Sequence, residues 1–291
     1  MDTKYRPWLM ISFLFICFSL KFHVSSGANT ISANLSLSGD QTILSAGGVF
    51  KLGFFKPGKS SNYYIGIWYD KISVQTVVWV ANREKPVFDK YSSVLRISDG
   101  NLVLFDESKV PVWSTSITST TTSSLEAILL DEGNLVLREL SGNSSTSLWE
   151  SFDHPTHTLI PGMKMRLDKR TKVSKRLISW KNAEDPAPGL FSLELDPVGS
   201  NSFIIMWNNS QLYWFSGPWD ENKKLFDFGP NPENNAESTR IVVHLGAALS
   251  KLRSSVIVCK VFSLNQSMIG TSGIILVVVR GRPNCSVKII V

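Results

Sequence analysis

Two histidines, His154 and His157, stand three residues apart in Asp153-His-Pro-Thr-His, a spacing that raises the question of metal chemistry. A protein zinc site gathers three or four ligands in one cluster. Pro155 opposes a helix here and the neighbouring sequence does not complete a ligand set, so the segment reads as a polar turn and no metal is expected. Serine-nucleophile and protein-kinase chemistry also lack their marks: no Gly-x-Ser-x-Gly elbow and no His-Arg-Asp kinase loop occurs. The chain is read as no enzyme and as needing no cofactor. Binding is what remains.

Composition narrows the class. Of 291 residues, 43% are hydrophobic, 11% aromatic and 19% charged, with 9 tryptophans. Disordered tails, collagen-like fibres and coiled coils do not combine many aromatics with few charges. Cysteine is limited to Cys17, Cys259 and Cys285, and the last two are the pair open to bridging. The formal charge of +6 is concentrated in residues 163–177, which hold seven bases and one acid. That run reads as a solvated connection between two modules, or as a surface for an acidic partner such as a pectin-like polyanion. Without interleaved aromatics, nucleic acid is not expected.

The start of the chain sets the compartment. Lys4 and Arg6 precede an apolar run from Trp8 to Leu20, and Ser25 and Gly27 stand before Ala28. A basic start, a short apolar stretch and a small-residue exit describe a signal peptide over 1–27. A membrane is expected only if that run stays uncleaved. Five Asn-x-Ser/Thr sequons, at Asn34, Asn143, Asn208, Asn265 and Asn284, suit an exported protein, secreted or displayed at the plasma membrane.

The elements that must position any binding group are short strands. Val49–Phe54, Tyr64–Tyr69 and Thr76–Val80 are rich in β-branched and aromatic residues, and no sustained helical period appears before Trp149. Val94 to Leu104 is echoed by Ala127 to Leu137, with Gly-Asn-Leu-Val-Leu recurring 33 residues on. Each copy closes with a tryptophan strand, Val112-Trp113-Ser114 and Leu148-Trp149-Glu150, and Val78-Trp79-Val80 fits an earlier, diverged copy. Trp79, Trp113 and Trp149 are 34 and 36 residues apart. A period in the thirties suits a unit of about four short strands repeated round an axis. Three such sheets would share one core filled by the three indoles.

Several ordered motifs carry a family resemblance. Leu-Ser-Gly-Asp-Gln-Thr (37–42), Gly-Val-Phe-Lys-Leu-Gly-Phe-Phe (48–55), Tyr-Ile-Gly-Ile-Trp-Tyr (64–69) and Val-Trp-Val-Ala-Asn-Arg-Glu-Lys-Pro-Val (78–87) resemble the bulb-type lectin domain of plant S-locus glycoproteins and G-type lectin receptor-like kinases. Residues 149–164, 179–192 and 216–219 resemble the stretch that follows it in that family. The resemblance implies an all-β chain: a type II β-prism of three four-stranded sheets with a pseudo-three-fold axis over 28–152, a basic connection over 153–177, and the start of an incomplete second β module over 178–228. Within that module Leu190–Leu195, Phe203–Trp207 and Leu212–Phe215 read as strands. Residues 229–291 carry no family motif, so the chain is read as a shortened product with a divergent tail and an open sheet edge.

The family's mannose site, Gln-x-Asp-x-Asn-x-Val-x-Tyr on one strand, sets amide and carboxylate groups against vicinal hydroxyls. Here the first copy reads Ile97, Asp99, Asn101, Val103, Phe105, and the second Leu130, Glu132, Asn134, Val136, Arg138. Both lack the Gln and the Tyr, which removes hydrogen bonds worth about 1 kcal/mol each. Asp-Gly and Glu-Gly before Asn are equally the composition of a hairpin turn. The resemblance thus implies a recognition module with a degenerate site at Asp99, Asn101, Val103, Phe105, Asn134 and Val136. Its partners would be a mannose-type glycan, a protein ligand, or receptor ectodomains in a homo- or hetero-dimer.

Overall fold

The computed structural model describes residues 29–118, 124–141, 144–168, 170–171, 173–200, 202–220, 225–226, 259–263, 274–278 and 288–290. The signal-like segment 1–27, three of the sequons (Asn143, Asn265, Asn284) and Cys285 lie outside them.

The first half is built from β1 (Thr30–Ser32), β2 (Thr42–Leu44), β3 (Phe50–Phe55), β4 (Tyr64–Tyr69), β5 (Val77–Val80), β6 (Val94–Ser98), β7 (Asn101–Phe105), β8 (Pro111–Ser114), β9 (Ser124–Leu129), β10 (Leu135–Ser141) and β11 (Ser144–Glu150). They form three antiparallel sheets in the orders β2-β3-β4-β5, β6-β7-β8 and β1-β9-β10-β11. The middle sheet has three strands where four are expected. Leu37 stands in the fourth place, exchanging both backbone hydrogen bonds with Leu95 at 2.9 Å. One residue suffices because the chain then turns at Gly39 (φ 60) toward β2. The first strand does not join the nearest sheet: Thr30, Ile31 and Ser32 pair with Ile128, Ala127 and Glu126. The N-terminal strand therefore completes the last sheet and ties the ends of the prism together.

Alternation along each strand sends one side chain in and the next out. Leu52, Ile65, Ile67, Leu95, Leu102, Leu104, Ala127 and Leu137 are fully buried in one shared interior. Each such Leu or Ile contributes about 1.5–3 kcal/mol. At the axis Trp79, Trp113 and Trp149 meet pairwise edge-to-face, with centroids 5.9, 6.0 and 5.9 Å apart and interplanar angles of 70–78°. Each ring presents its positive edge to a neighbour's negative face, a geometry that adds about 0.5–1.5 kcal/mol per pair.

A 3-10 turn at Ser151–Asp153 leads into the second module. It holds β12 (Thr158–Leu159), the hairpin β13 (Arg166–Leu167) and β14 (Ser174–Lys175), then β15 (Leu177–Asn182), β16 (Asp185–Leu195), β17 (Phe203–Trp207) and β18 (Gln211–Phe215). β15 to β18 form an antiparallel meander. β16 begins well before the expected Leu190, running through Pro186 and Pro188. Register shifts opposite these prolines absorb their missing N–H groups. Gly189 is required there, since a Cβ would lie 2.4 Å from the Trp180 carbonyl oxygen. A short pair, β19 (Trp219–Asp220) and β20 (Leu225–Phe226), follows. Three tail strands, β21 (Cys259–Ser263), β22 (Ile274–Val278) and β23 (Lys288–Ile290), extend the sheet from β15, β21 running parallel to it.

Candidate functional site

The sequence places the candidate sugar groups at alternate positions of one strand, but the backbone divides them between two. Ser98 pairs with Asn101, and Asp99 (φ 49) and Gly100 (φ 76) form the two-residue turn between β6 and β7. Positive φ at both central residues is the hairpin geometry that Asp-Gly favours. Ile97 consequently belongs to β6, pairs with Leu102 and packs against the core, opposite to the sugar-facing side. Asp99 is an exposed turn residue whose carboxylate accepts the Ser98 hydroxyl at 3.0 Å.

The Asn101 amide is fully engaged within the chain. Its Nδ2 donates to the carbonyls of Asp99 and Ile117, both at 3.2 Å. Its Oδ1 accepts the Thr115 hydroxyl at 2.9 Å and the Ile117 N–H at 2.6 Å. Two donors and two lone pairs are the whole capacity of a primary amide. Asn134 repeats the arrangement: Nδ2 donates to Glu150 at 3.0 Å, and Oδ1 accepts from Ser151 Oγ and Phe152 N at 3.2 Å each. Its side chain is buried. The hydroxyls so held take an amide at the start of the neighbouring strand, Leu102 N on Thr115 at 3.2 Å and Leu135 N on Ser151 at 2.9 Å. In the remaining copy Asn82 Oδ1 accepts from Ile65 N at 2.8 Å. Asn101 and Asn134 therefore close the corners after β8 and β11, while Asn82, which follows β5, takes the amide-accepting part that Thr115 and Ser151 play in the other copies. Val103 and Val136 point to the outer faces yet are only 7% and 6% exposed, and Phe105 lies under the Arg96 guanidinium, 4.7 Å from its ring centroid. On the other sheet Arg138, in the tyrosine position of the motif, pairs with Glu126.

The β2–β5 sheet has no open outer face. Gly53 pairs with Gly66, and the two leave a flat floor over which the Phe55 and Trp68 rings lie; a Cβ on Gly66 would come within 2.6 Å of Phe55. Phe55, Tyr64, Trp68, Val77 and Val80 form a second apolar cluster with Trp180 of β15. His157, expected in a polar turn, is fully buried here instead. Its Nε2 donates to the Val77 carbonyl and its Nδ1 accepts from Thr156, both at 3.1 Å, and its ring lies 5.1 Å from that of Trp180. His154 stacks on Trp149 at 5.0 Å, and its carbonyl accepts the Trp79 indole N–H at 2.9 Å. Burial foremost, then Lys175, lowers the His154 pKa, against an opposing pull from Asp153. The pair thus joins two modules, and no group of residues able to hold a metal ion occurs among the described residues.

The strongest joint is one that sequence reasoning missed. Arg83 of the Ala-Asn-Arg-Glu-Lys-Pro run enters the second module, donating from Nε to Pro186 O at 2.6 Å and from Nη2 to the carbonyls of Ile178 (3.0 Å) and Ser179 (2.8 Å). It is 9% exposed, and burial lowers its pKa to about 10. No local signal marks it, because its partners lie about a hundred residues away. Another spacing is excluded by its setting. Gly53-Phe-Phe-Lys-Pro-Gly-Lys-Ser60 matches a phosphate loop, but that motif needs strand, loop and helix. Here β3 ends at Phe55, a turn follows, and β4 comes next.

Sequence comparison bears on the same surfaces. A family model described as D-mannose binding lectin matches residues 76–181. A G-type lectin S-receptor-like serine/threonine-protein kinase of Arabidopsis thaliana is 56% identical over 231 residues, covering 78% of this chain and 27% of its own length. The chain belongs to the bulb-type lectin family of S-receptor-like proteins. An S-locus-specific glycoprotein of Brassica oleracea is 37% identical over 255 residues, 82% of this chain and 58% of the relative. A monocot mannose-binding lectin from Gastrodia elata, a solved structure, is 17% identical with a TM-score of 0.33, covering 43% of this chain and 96% of that one. The chain spans about a quarter of the receptor kinase it matches, and the matched part is its lectin region, which is non-catalytic. Among the described residues no helix is long and apolar enough to cross a membrane. The sequons Asn34 and Asn208 both sit exposed in turns, the latter at φ 50.

Proposed function

We propose that this chain is the recognition part of a secreted or cell-surface S-receptor-like protein, acting by binding and not by catalysis. Its glycan site lies on the outer face of β6–β7–β8 and takes mannose-type sugars weakly. The supporting observation is the distribution of open surface. One prism face is covered by Trp180, and a second carries the Arg138–Glu126 pair where a sugar would lie. The β6–β7–β8 face keeps the exposed Asp99 carboxylate and the half-exposed Phe105 ring. A carboxylate accepts two sugar hydroxyls, and an aromatic ring packs against the sugar's apolar C–H side. With both Asn amides already engaged within the chain, the affinity expected is about millimolar, near 4 kcal/mol.

The test is titration of the chain with mannose oligosaccharides. Asp99→Ala and Phe105→Ala are the diagnostic changes, because Asn101→Ala would also break the corner it closes. At least a fivefold loss in each variant, with the fold intact by near-UV circular dichroism, supports the site. Absence of binding to any glycan on an array refutes it and leaves protein recognition or dimerisation through the prism as the function.

A further inference from the structure

The basic segment is not absorbed by the lectin reading, and the structure gives it a shape. From Met163 to Asp168 exposure alternates: Met163, Met165 and Leu167 are half-buried, while Lys164, Arg166 and Asp168 face solvent. Met163 and Met165 pack on the core of the second module with Leu159, Leu177, Phe191 and Leu193. The cations thus face outward along β13 and the residues that lead into it, which are anchored from behind. In the β13–β14 hairpin Arg166 stands directly opposite Lys175. Like charges in that relation repel and weaken a sheet. The acid facing them is Asp153, which pairs with Lys175 at 2.5 Å. Its carboxyl is held below the ordinary value by the Lys175 hydrogen bond first, with smaller help from Lys175 and Arg166 charge. Asp168 is engaged in its own turn, accepting the N–H groups of Arg170 and Thr171. Lys164 and Arg166 form no salt bridge among the described residues, and Arg170 is exposed in the connecting turn.

We infer that this hairpin is a second binding surface, independent of the prism face, for a linear polyanionic polysaccharide of uronic acids. Charges on one side of an extended strand repeat about every 6.6 Å. A stiff polymer with one carboxylate per sugar presents its charges in a comparable row. Such a ligand relieves the Arg166–Lys175 repulsion along the whole arm at once. An acidic globular protein, with scattered carboxylates, fits the row less well.

The experiment uses the full chain and immobilised polygalacturonate, with polyglutamate and neutral mannan as controls. Binding is expected to polygalacturonate, to fall steeply between about 0.05 and 0.3 M salt, and to drop at least tenfold in Lys164→Gln/Arg166→Gln. Both side chains are exposed, so tryptophan fluorescence should report an unchanged fold. Asp99→Ala should bind polygalacturonate as the parent does, which separates this surface from the mannose site. Equal binding by the double variant and the parent, or no binding at low salt, overturns the inference. Equal binding to polyglutamate overturns it in favour of an acidic protein partner.

Discussion

Replacing Arg83 by methionine should loosen the two modules without unfolding the prism. Burial lowers its pKa to about 10, so the guanidinium gives up hydration to sit in the joint. Three charge-assisted hydrogen bonds to Pro186, Ile178 and Ser179 offset this, at about 1.5–3 kcal/mol each. Methionine removes the desolvation cost and keeps the apolar stem, but withdraws three donated hydrogen bonds from carbonyls in a buried joint. Each bond lost costs about 1–3 kcal/mol, less whatever water recovers. The docking of β15 and β16 on the prism should weaken by about 3–5 kcal/mol, the range seen when one partner of a buried charged contact is deleted. Urea unfolding followed by tryptophan fluorescence should change from one transition to two, the second module melting first. Trypsin should cut the basic segment 163–177 sooner. Arg83→Lys keeps the charge without the planar fork and should fall between. A Met variant with the parent's midpoint, slope and cleavage rate would show that the aromatic cluster around Trp180 carries the joint alone, and the reasoning would fail.

Three further outcomes follow from the same geometry. Gly66→Ala drives a methyl into Phe55 at 2.6 Å and the Trp79 carbonyl at 3.0 Å, and should lower stability by about 1–3 kcal/mol in thermal melts. Asn134→Ala unties Ser151 and Phe152 and should lose about 2 kcal/mol by urea titration, an unchanged midpoint arguing against the corner role. Because burial lowers the His154 pKa, the unfolded chain takes up a proton more readily below its ordinary value of 6.5. Stability is therefore full above pH 6.5 and declines as pH falls below it; His154→Gln should flatten that decline in melting points taken from pH 7.5 to 5.

Much of the prism is legible from local pattern. The repeated Gly-Asn-Leu-Val-Leu, the alternation of β7 and β10, and one tryptophan per copy are each set by neighbours a few residues apart. The candidate site is less legible, because a two-residue turn at Asp99-Gly100 splits a period-two pattern between strands and turns Ile97 to the opposite side. Composition also cannot tell an amide that faces sugar from one that closes a corner. For Asn101 that depends on Thr115 and Ile117, which follow β8.

By itself the sequence determined the β class, the three-copy repeat and the indoles that fill its axis, since strand propensity and side-chain period are local properties. Only the tertiary structure decided that β1 completes the sheet of β9, that Arg83 reaches the carbonyls of β15 and β16, and that Trp180 closes one prism face. Those contacts join residues separated by about a hundred positions. A backbone ladder, a set of charge-assisted hydrogen bonds and an apolar cluster of that sequence range form only when folding brings their partners together, so no local pattern announces them.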